Sequence, residues 1–159
     1  MTDSYNTLLR LDCMRALTTG SSTNVAVGTA IAYNATTAMG NVYVGHQCGL
    51  NAANVNYNTG VGNNALQNVT SHDNTAVGQS ALVGVTTGTW NMGVGRGAGS
   101  SGSLVTGSSN TLIGRNTNPA TANISNSCAI GAGATVDAET TRFSWVIHLL
   151  QRSRQVEIW

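Results

Sequence analysis

Asn24-Val25-Ala26-Val27-Gly28 is followed by Asn41-Val42-Tyr43-Val44-Gly45, Asn58-Thr59-Gly60-Val61-Gly62, Asn74-Thr75-Ala76-Val77-Gly78, Asn91-Met92-Gly93-Val94-Gly95 and Asn110-Thr111-Leu112-Ile113-Gly114. One word, Asn-x-x-Val/Ile-Gly, therefore recurs through most of the chain. Ser127-Cys128-Ala129-Ile130-Gly131 is a further copy that has lost only its first residue. The closing glycines at 28, 45, 62, 78, 95, 114 and 131 are 17, 17, 16, 17, 19 and 17 residues apart. Self-similarity this regular fixes an architecture before any single residue is interpreted.

A period of this length predicts a solenoid in which each repeat is one coil touching its neighbours. It is too short for a helical hairpin, and the word is built from Val, Ile, Thr and Gly, which favour strands and turns over helix. The expected fold is all-β, a parallel β-roll or β-helix solenoid with coils of ~17 residues. Strands about 4.8 Å apart over eight or so coils would make a rod of roughly 40 Å.

Strand alternation sorts the word into two faces. Val27, Val44, Val61, Val77, Val94, Ile113 and Ile130 share one face with Val25, Val42, Thr59, Thr75, Met92, Thr111 and Cys128. This apolar ridge is the expected interior. The other face carries Ala26, Tyr43, Gly60, Ala76, Gly93, Leu112 and Ala129, followed by the glycines. Its residues are mostly small and apolar, which predicts close packing against another body, most simply an identical chain. Each closing glycine is expected at a turn or crowded contact that no other residue can share. Ala65-Leu66 and Ala81-Leu82 follow their glycines at one offset, with Cys48, Ala98 and Ala134 in the alanine slot. They are expected on a second, inward-pointing strand. The 19-residue step predicts a small extrusion within Gly97–Ser103.

Composition narrows the function classes. The chain has 159 residues, a net charge of +1 and only 8% charged residues, so it carries no electrostatic footprint for nucleic acid or an anionic membrane. No apolar run approaches membrane-spanning length. The N-terminus lacks the basic-apolar-small pattern of a secretory leader, so synthesis in a cytoplasm is expected. Cys13, Cys48 and Cys128 are odd in number and widely spaced, which argues against a zinc site or disulfide framework.

Three regions are expected. Residues 1–20 lie outside the repeat, and Leu8, Leu11, Met14 and Leu17 fall near helical spacing, predicting a short N-terminal helix that caps the first coil or attaches the rod to a larger particle. Residues 21–137 form the solenoid. Residues 138–159 read as a degenerate terminal coil and cap, with Ser144-Trp145-Val146-Ile147-His148 as a copy 17 residues after the last and bulky Trp145, Leu149, Leu150 and Trp159 closing the stack. Arg142, Arg152 and Arg154 give that tip a basic character.

The repeated word followed by Ala-Leu, clearest from Asn74 to Leu82, resembles the repeats of two families: the heads of trimeric autotransporter adhesins and the shafts of bacteriophage tail fibres. The resemblance covers about residues 21–137. It implies a homotrimer whose rolls pack around a three-fold axis. Within these 159 residues neither the stalk and anchor of the adhesins nor the chaperone domain or large receptor-binding head of tail fibres is expected. What it implies is a non-enzymatic, structural virion fibre made in a host cytoplasm, joined to other virion proteins through one terminus and contacting a host surface glycan or protein. A cell-surface adhesin head fragment is the alternative.

No catalytic constellation is visible, and no cofactor, metal, nucleic-acid partner or membrane insertion is expected. Asp3, Asp12, Asp73, Asp137, Glu139 and Glu157 are scattered, and His46, His72 and His148 fall at different repeat positions. Gly95-Arg96-Gly97-Ala98-Gly99 is glycine-rich but lacks the strand–turn–helix setting of a phosphate loop. The residue after each glycine (Thr29, His46, Asn63, Gln79, Arg96, Arg115, Ala132) should stack into a polar stripe. Arg96 and Arg115, with Trp90 and Tyr57 as aromatic neighbours, are the candidate receptor contacts. The Thr pairs at 36–37, 86–87 and 140–141 raise an ice-binding solenoid, but they do not recur in every coil.

Overall fold

The computed structural model describes residues 5–10, 12–18, 20–100, 105–137 and 144–145. Each word becomes a short strand, because its Val, Ile and Thr side chains fit a pleated surface. The strands are β1 (Thr7–Leu9), β2 (Val25–Thr29), β3 (Val42–His46), β4 (Thr59–Val61), β5 (Thr75–Val77), β6 (Met92–Val94), β7 (Thr111–Ile113), β8 (Asn118–Pro119), β9 (Cys128–Ile130), β10 (Thr135–Val136) and β11 (Ser144–Trp145). One nine-stranded parallel sheet runs β1-β2-β3-β4-β5-β6-β7-β9-β11, and β8 pairs with β10 in parallel on a second side. Register matches word to word: Val25 opposes Val42, Ala26 opposes Tyr43 and Gly28 opposes Gly45. The chain is an all-β solenoid of parallel coils.

The faces are the reverse of the sequence expectation. Ala26, Tyr43, Ala76, Leu112 and Ala129 are fully buried, and Gly60 and Gly93 are buried with them. Val27, Val44, Val94 and Ile130 are half-buried, while Val61, Val77 and Ile113 are exposed at 36–39%. The reason is the thinness of the coil. Its opposite wall already supplies Ile31, Val55, Leu66, Val69, Leu82, Val85, Ile124 and Val136, which leaves space across the interior only for small residues. Size mismatches are matched locally. Tyr43 fits because Gly60 and Gly49 face its ring: a Cβ on Gly49 would lie 2.8 Å from it, and one on Gly60 3.1 Å. Leu82 fits because a Cβ on Gly93 would lie 2.7 Å from Leu82 Cγ. Cys48, Ala65, Leu66, Ala81, Leu82, Ala98 and Ala134 do point inward. Those after β3 to β6 ride on turns rather than a second strand, and Leu66 and Leu82 take φ of 52° and 49°.

The first residue of the word forms a ladder. Asn24 Oδ1 accepts the backbone N–H (3.0 Å) and side-chain Nδ2 (3.1 Å) of Asn41. Asn41 Oδ1 accepts Asn58 N–H at 3.0 Å, and Asn58 Oδ1 accepts Asn74 N–H at 2.9 Å. Asn74 and Asn91 pass the pattern to Asn110. The amide Nδ2 groups also reach main-chain carbonyls across the coil, as from Asn41 to Val55 O at 2.7 Å and from Asn110 to Ile124 O at 2.8 Å. Ser127 ends the series with both its N–H and its hydroxyl on Asn110 Oδ1.

The expected N-terminal helix is absent: the described residues contain no helix. Asn6 Oδ1 receives Asn24 N–H and Nδ2, both at 2.9 Å, and β1 pairs with β2. Asn6-Thr7-Leu8-Leu9-Arg10 is thus another copy of the word with its glycine replaced, and the first coil of the stack. Cys13 bridges to Ile31, and Met14 is buried rather than free for attachment. The backbone hydrogen bonds offered by β2 outcompete a short helix that would have no helical neighbour to pack on. At the other end, Ser144 and Trp145 oppose Ala129 and Ile130, two residues out of step with the expected alignment. Residues 146–159, including His148, Leu149, Leu150, Arg152, Arg154 and Trp159, lie outside the described residues, as do Leu11 and Arg142. Of the expected extrusion, Gly97, Ala98 and Gly99 are buried in an ordinary turn, and 101–104 lie outside the described residues.

The closing glycines form a column with φ between 120° and 142°. A Cβ on Gly78 would lie 2.6 Å from both C and O of Gly95, and the same collision repeats along the column. Gly78→Ala should therefore cost about 3 kcal/mol through strain and overpacking. Gly133, whose Cβ would meet nothing within 4 Å although φ is 71°, should cost only about 1 kcal/mol when changed to Ala. Paired thermal melts check the difference; equal losses would show that φ alone matters. Asn74→Ala should cost roughly 3 kcal/mol, because it leaves the buried Asn91 N–H without its acceptor and removes one of the two donors to the Gly88 carbonyl. Asn74→Asp, which keeps the acceptor but sets a buried carboxylate oxygen against the Gly88 and His72 carbonyls, should cost at least as much.

Candidate functional site

Two polar margins border the strands, one before the word and one after it. The margin after the glycines carries the expected stripe, and Thr29, His46, Asn63, Gln79, Arg96, Arg115 and Ala132 are all exposed. Neighbouring rungs bond to each other: Asn63 Nδ2 lies 3.4 Å from His46 Nδ1, and Arg96 Nε donates to Gln79 Oε1 at 3.2 Å. Gln79, Ser80, Arg96, Gly97, Ser100 and Asn116 line an open groove of about 220 Å³ here.

The margin before the asparagines carries Thr23, Gly40, Tyr57, Asp73, Trp90, Ser109 and Asn126. Every one of them has φ between 51° and 66°. The left-handed bend turns the chain from the coil corner into the strand, and Gly, Asn and Asp accept it most readily. Trp90 is 66% exposed and Tyr57 56% exposed. The structure thus separates the receptor-contact candidates: Trp90 and Tyr57 lie before the strands, Arg96 and Arg115 after them, on opposite margins. The sequence reading missed this margin. The signal lay in the fixed position before each Asn, where Gly, Asp and Asn alternate with two aromatics.

The other candidates are quickly placed. Leu8 is 40% exposed and Leu9 55%, both on the terminal strand of the sheet, whereas Met14 is inside. Asp12 pairs with Arg15 at 3.7 Å. No group of three His, Cys, Asp or Glu side chains among the described residues could hold a metal ion. Thr36 Oγ1 is bonded to Asn54 Oδ1 and Thr86 Oγ1 to Val105 O, so one hydroxyl of each described pair is already committed; Thr140 and Thr141 lie outside the described residues. Among the described residues no helix is long and apolar enough to cross a membrane. No protein-family model matches the chain, and neither does any curated protein or solved structure.

Buried ionisable groups sit in the core, away from both margins. Burial pushes the Cys48 thiol up to about 12, and burial with Cys48 nearby also raises the Tyr43 hydroxyl. A thiol held this far from its thiolate form is a core hydrophobe, not a nucleophile. Tyr43 Oη is buried with no hydrogen-bond partner. Since both groups favour their neutral forms in the fold, their contribution is complete below the ordinary thiol value of 9.0 and is lost as pH climbs toward about 12. The melting temperature should hold up to about pH 9 and fall above it. Melts of the Cys48→Ala variant across this range should show a shallower fall.

Proposed function

We propose that this chain is the repeat rod of a virion fibre, a structural protein without enzyme activity that works as a homotrimer and contributes to host-surface attachment. The observation that carries the reading is the outward face of the large sheet. Two parallel ranks, Val25–Val42–Thr59–Thr75–Met92–Thr111–Cys128 and Val27–Val44–Val61–Val77–Val94–Ile113–Ile130, lie half-buried or exposed across β2 to β9. Parallel sheets are ordinarily covered on both faces, and an apolar ridge running roughly 30 Å over six strand steps marks an interaction surface. Its continuous register and its lack of charge suit a second copy of itself around a long axis. The Thr positions are broken by Val42, Met92 and Cys128, which suits packing better than an ordered array of hydroxyls.

Attachment to the particle is assigned to the N-terminal coil. Strand β1 ends the described sheet, so its outer backbone edge and exposed Leu8 and Leu9 offer strand addition and an apolar contact together.

Sedimentation equilibrium should give about three times the monomer mass of 16.3 kDa. Val77→Lys, at the centre of the ridge, should return a folded or partly folded monomer. Cys128 supplies a second readout: native-state labelling of this half-exposed thiol should be slow in the trimer and fast in the Val77→Lys protein. A stable monomer with the ridge intact would sink the trimer. Normal incorporation into particles after Leu8→Asp and Leu9→Asp would move attachment to the other terminus.

A further inference from the structure

The margin before the asparagines is the least explained feature of the fold. Seven successive coils impose a left-handed φ on its residues, and two of the seven are bulky aromatics: Tyr57 at φ 59° and Trp90 at φ 56°. A large side chain in this conformation is an outlier that carries a backbone cost. The cost brings little burial: Trp90 is 66% exposed and Tyr57 56%, the latter with its hydroxyl 3.8 Å from Met39 Sδ. Single exposed apolar residues need no explanation; two in one rank, each in a strained position, do.

We propose that Tyr57, Asp73 and Trp90, with His72 beside them, bind an extended β-linked pyranose chain. Thr59, Thr75 and Met92 are in register, so Tyr57, Asp73 and Trp90 stand on three consecutive coils. The two aromatic positions are therefore two strand spacings apart, about 10 Å. That is close to the advance of two sugar units in an extended β-linked chain, so alternate units can each lie over a ring. The apolar face of a pyranose stacks on an aromatic ring, while its equatorial hydroxyls need polar partners between the rings. Asp73 supplies a carboxylate acceptor at that midpoint. His72 Nδ1 accepts the Asn56 N–H at 2.9 Å, which leaves the proton on Nε2 and makes the imidazole a donor. Gly40 supplies the bed for the first ring: a Cβ there would lie 2.7 Å from Tyr57 Cδ1, so only glycine lets the ring lie back along the stack. The Tyr57 N–H is tied to Met39 O at 3.0 Å and the Asp73 N–H to Asn56 O at 3.2 Å. The platform is held rigid by the coil, which lowers the ordering cost of binding.

This inference deepens the attachment role but rests on the margin alone, so it is tested separately from the trimer. The full-length protein is titrated calorimetrically with a β-linked N-acetylglucosamine tetrasaccharide, with cellotetraose, and with maltotetraose as an α-linked control. Saturable binding of at least one β-linked probe, with maltotetraose weaker, is expected. Tyr57→Ala and Trp90→Ala should each weaken binding roughly tenfold, and the double variant should abolish it. Asp73→Asn should weaken it less. Trp90→Gly separates binding from packing: it should lose the sugar yet melt at the same or a higher temperature, because glycine relieves the left-handed strain. No binding of either β-linked probe, binding unchanged in the double variant, or a clear fall in the melting temperature of Trp90→Gly would each overturn the proposal. A monomer in the ultracentrifuge would touch only the fibre assembly.

Discussion

The asparagine ladder is the constraint on which the rest of this fold depends. A coil this thin cannot bury enough apolar surface to specify its own register. The column from Asn6 through Asn110 to Ser127 supplies what burial cannot. From Asn24 to Asn110 each side chain sits inside, holds the next coil's backbone N–H, and reaches across to a main-chain carbonyl. A one-residue slip would leave these buried groups unpaired, at a cost of about 1–3 kcal/mol for each. Register is thus enforced by polar groups, and the apolar positions are released to vary. That freedom is visible in the inward rank, where Ala, Tyr, Gly and Leu all occur at one position.

The glycine column enforces a second distance. Stacked glycines bring successive backbones so close that a single Cβ would meet the next carbonyl. Ladder and column lie at the two ends of one strand, four residues apart in the word, and between them they clamp every strand at its start and its end. The outward Val and Ile side chains are therefore held in register by interactions to which they contribute little.

Much of this could be read from the residues. The period gave the coil, and the alternation gave two correct sets of side chains. Which set faces inward is decided by available volume rather than by apolarity, and volume is not written in the alternation. Gly60 and Gly93 inside the repeat were the warning, since they have no side chain to offer a partner and make sense as space for Tyr43 and Leu82. The N-terminal coil was missed for a related reason. Leu8, Leu11, Met14 and Leu17 fit a helical spacing, yet Asn6 stands 18 residues before Asn24, and the asparagine carries more information than the leucines once its role is known. The aromatic margin was half legible: Tyr57 and Trp90 were visible as exposed stacking groups, but only the shared left-handed bend separates them from Arg96 and Arg115.

The ladder also has a direction. Each asparagine accepts at Oδ1 from the C-terminal coil and donates its N–H to the N-terminal one, and no rung is reversed. A ribosome adding about 5–20 residues per second releases one coil every second or few. Each newly emerged coil then meets an acceptor that is already in place on the coil before it. Folding can keep step with synthesis, one turn at a time, with only the leading turn unfinished.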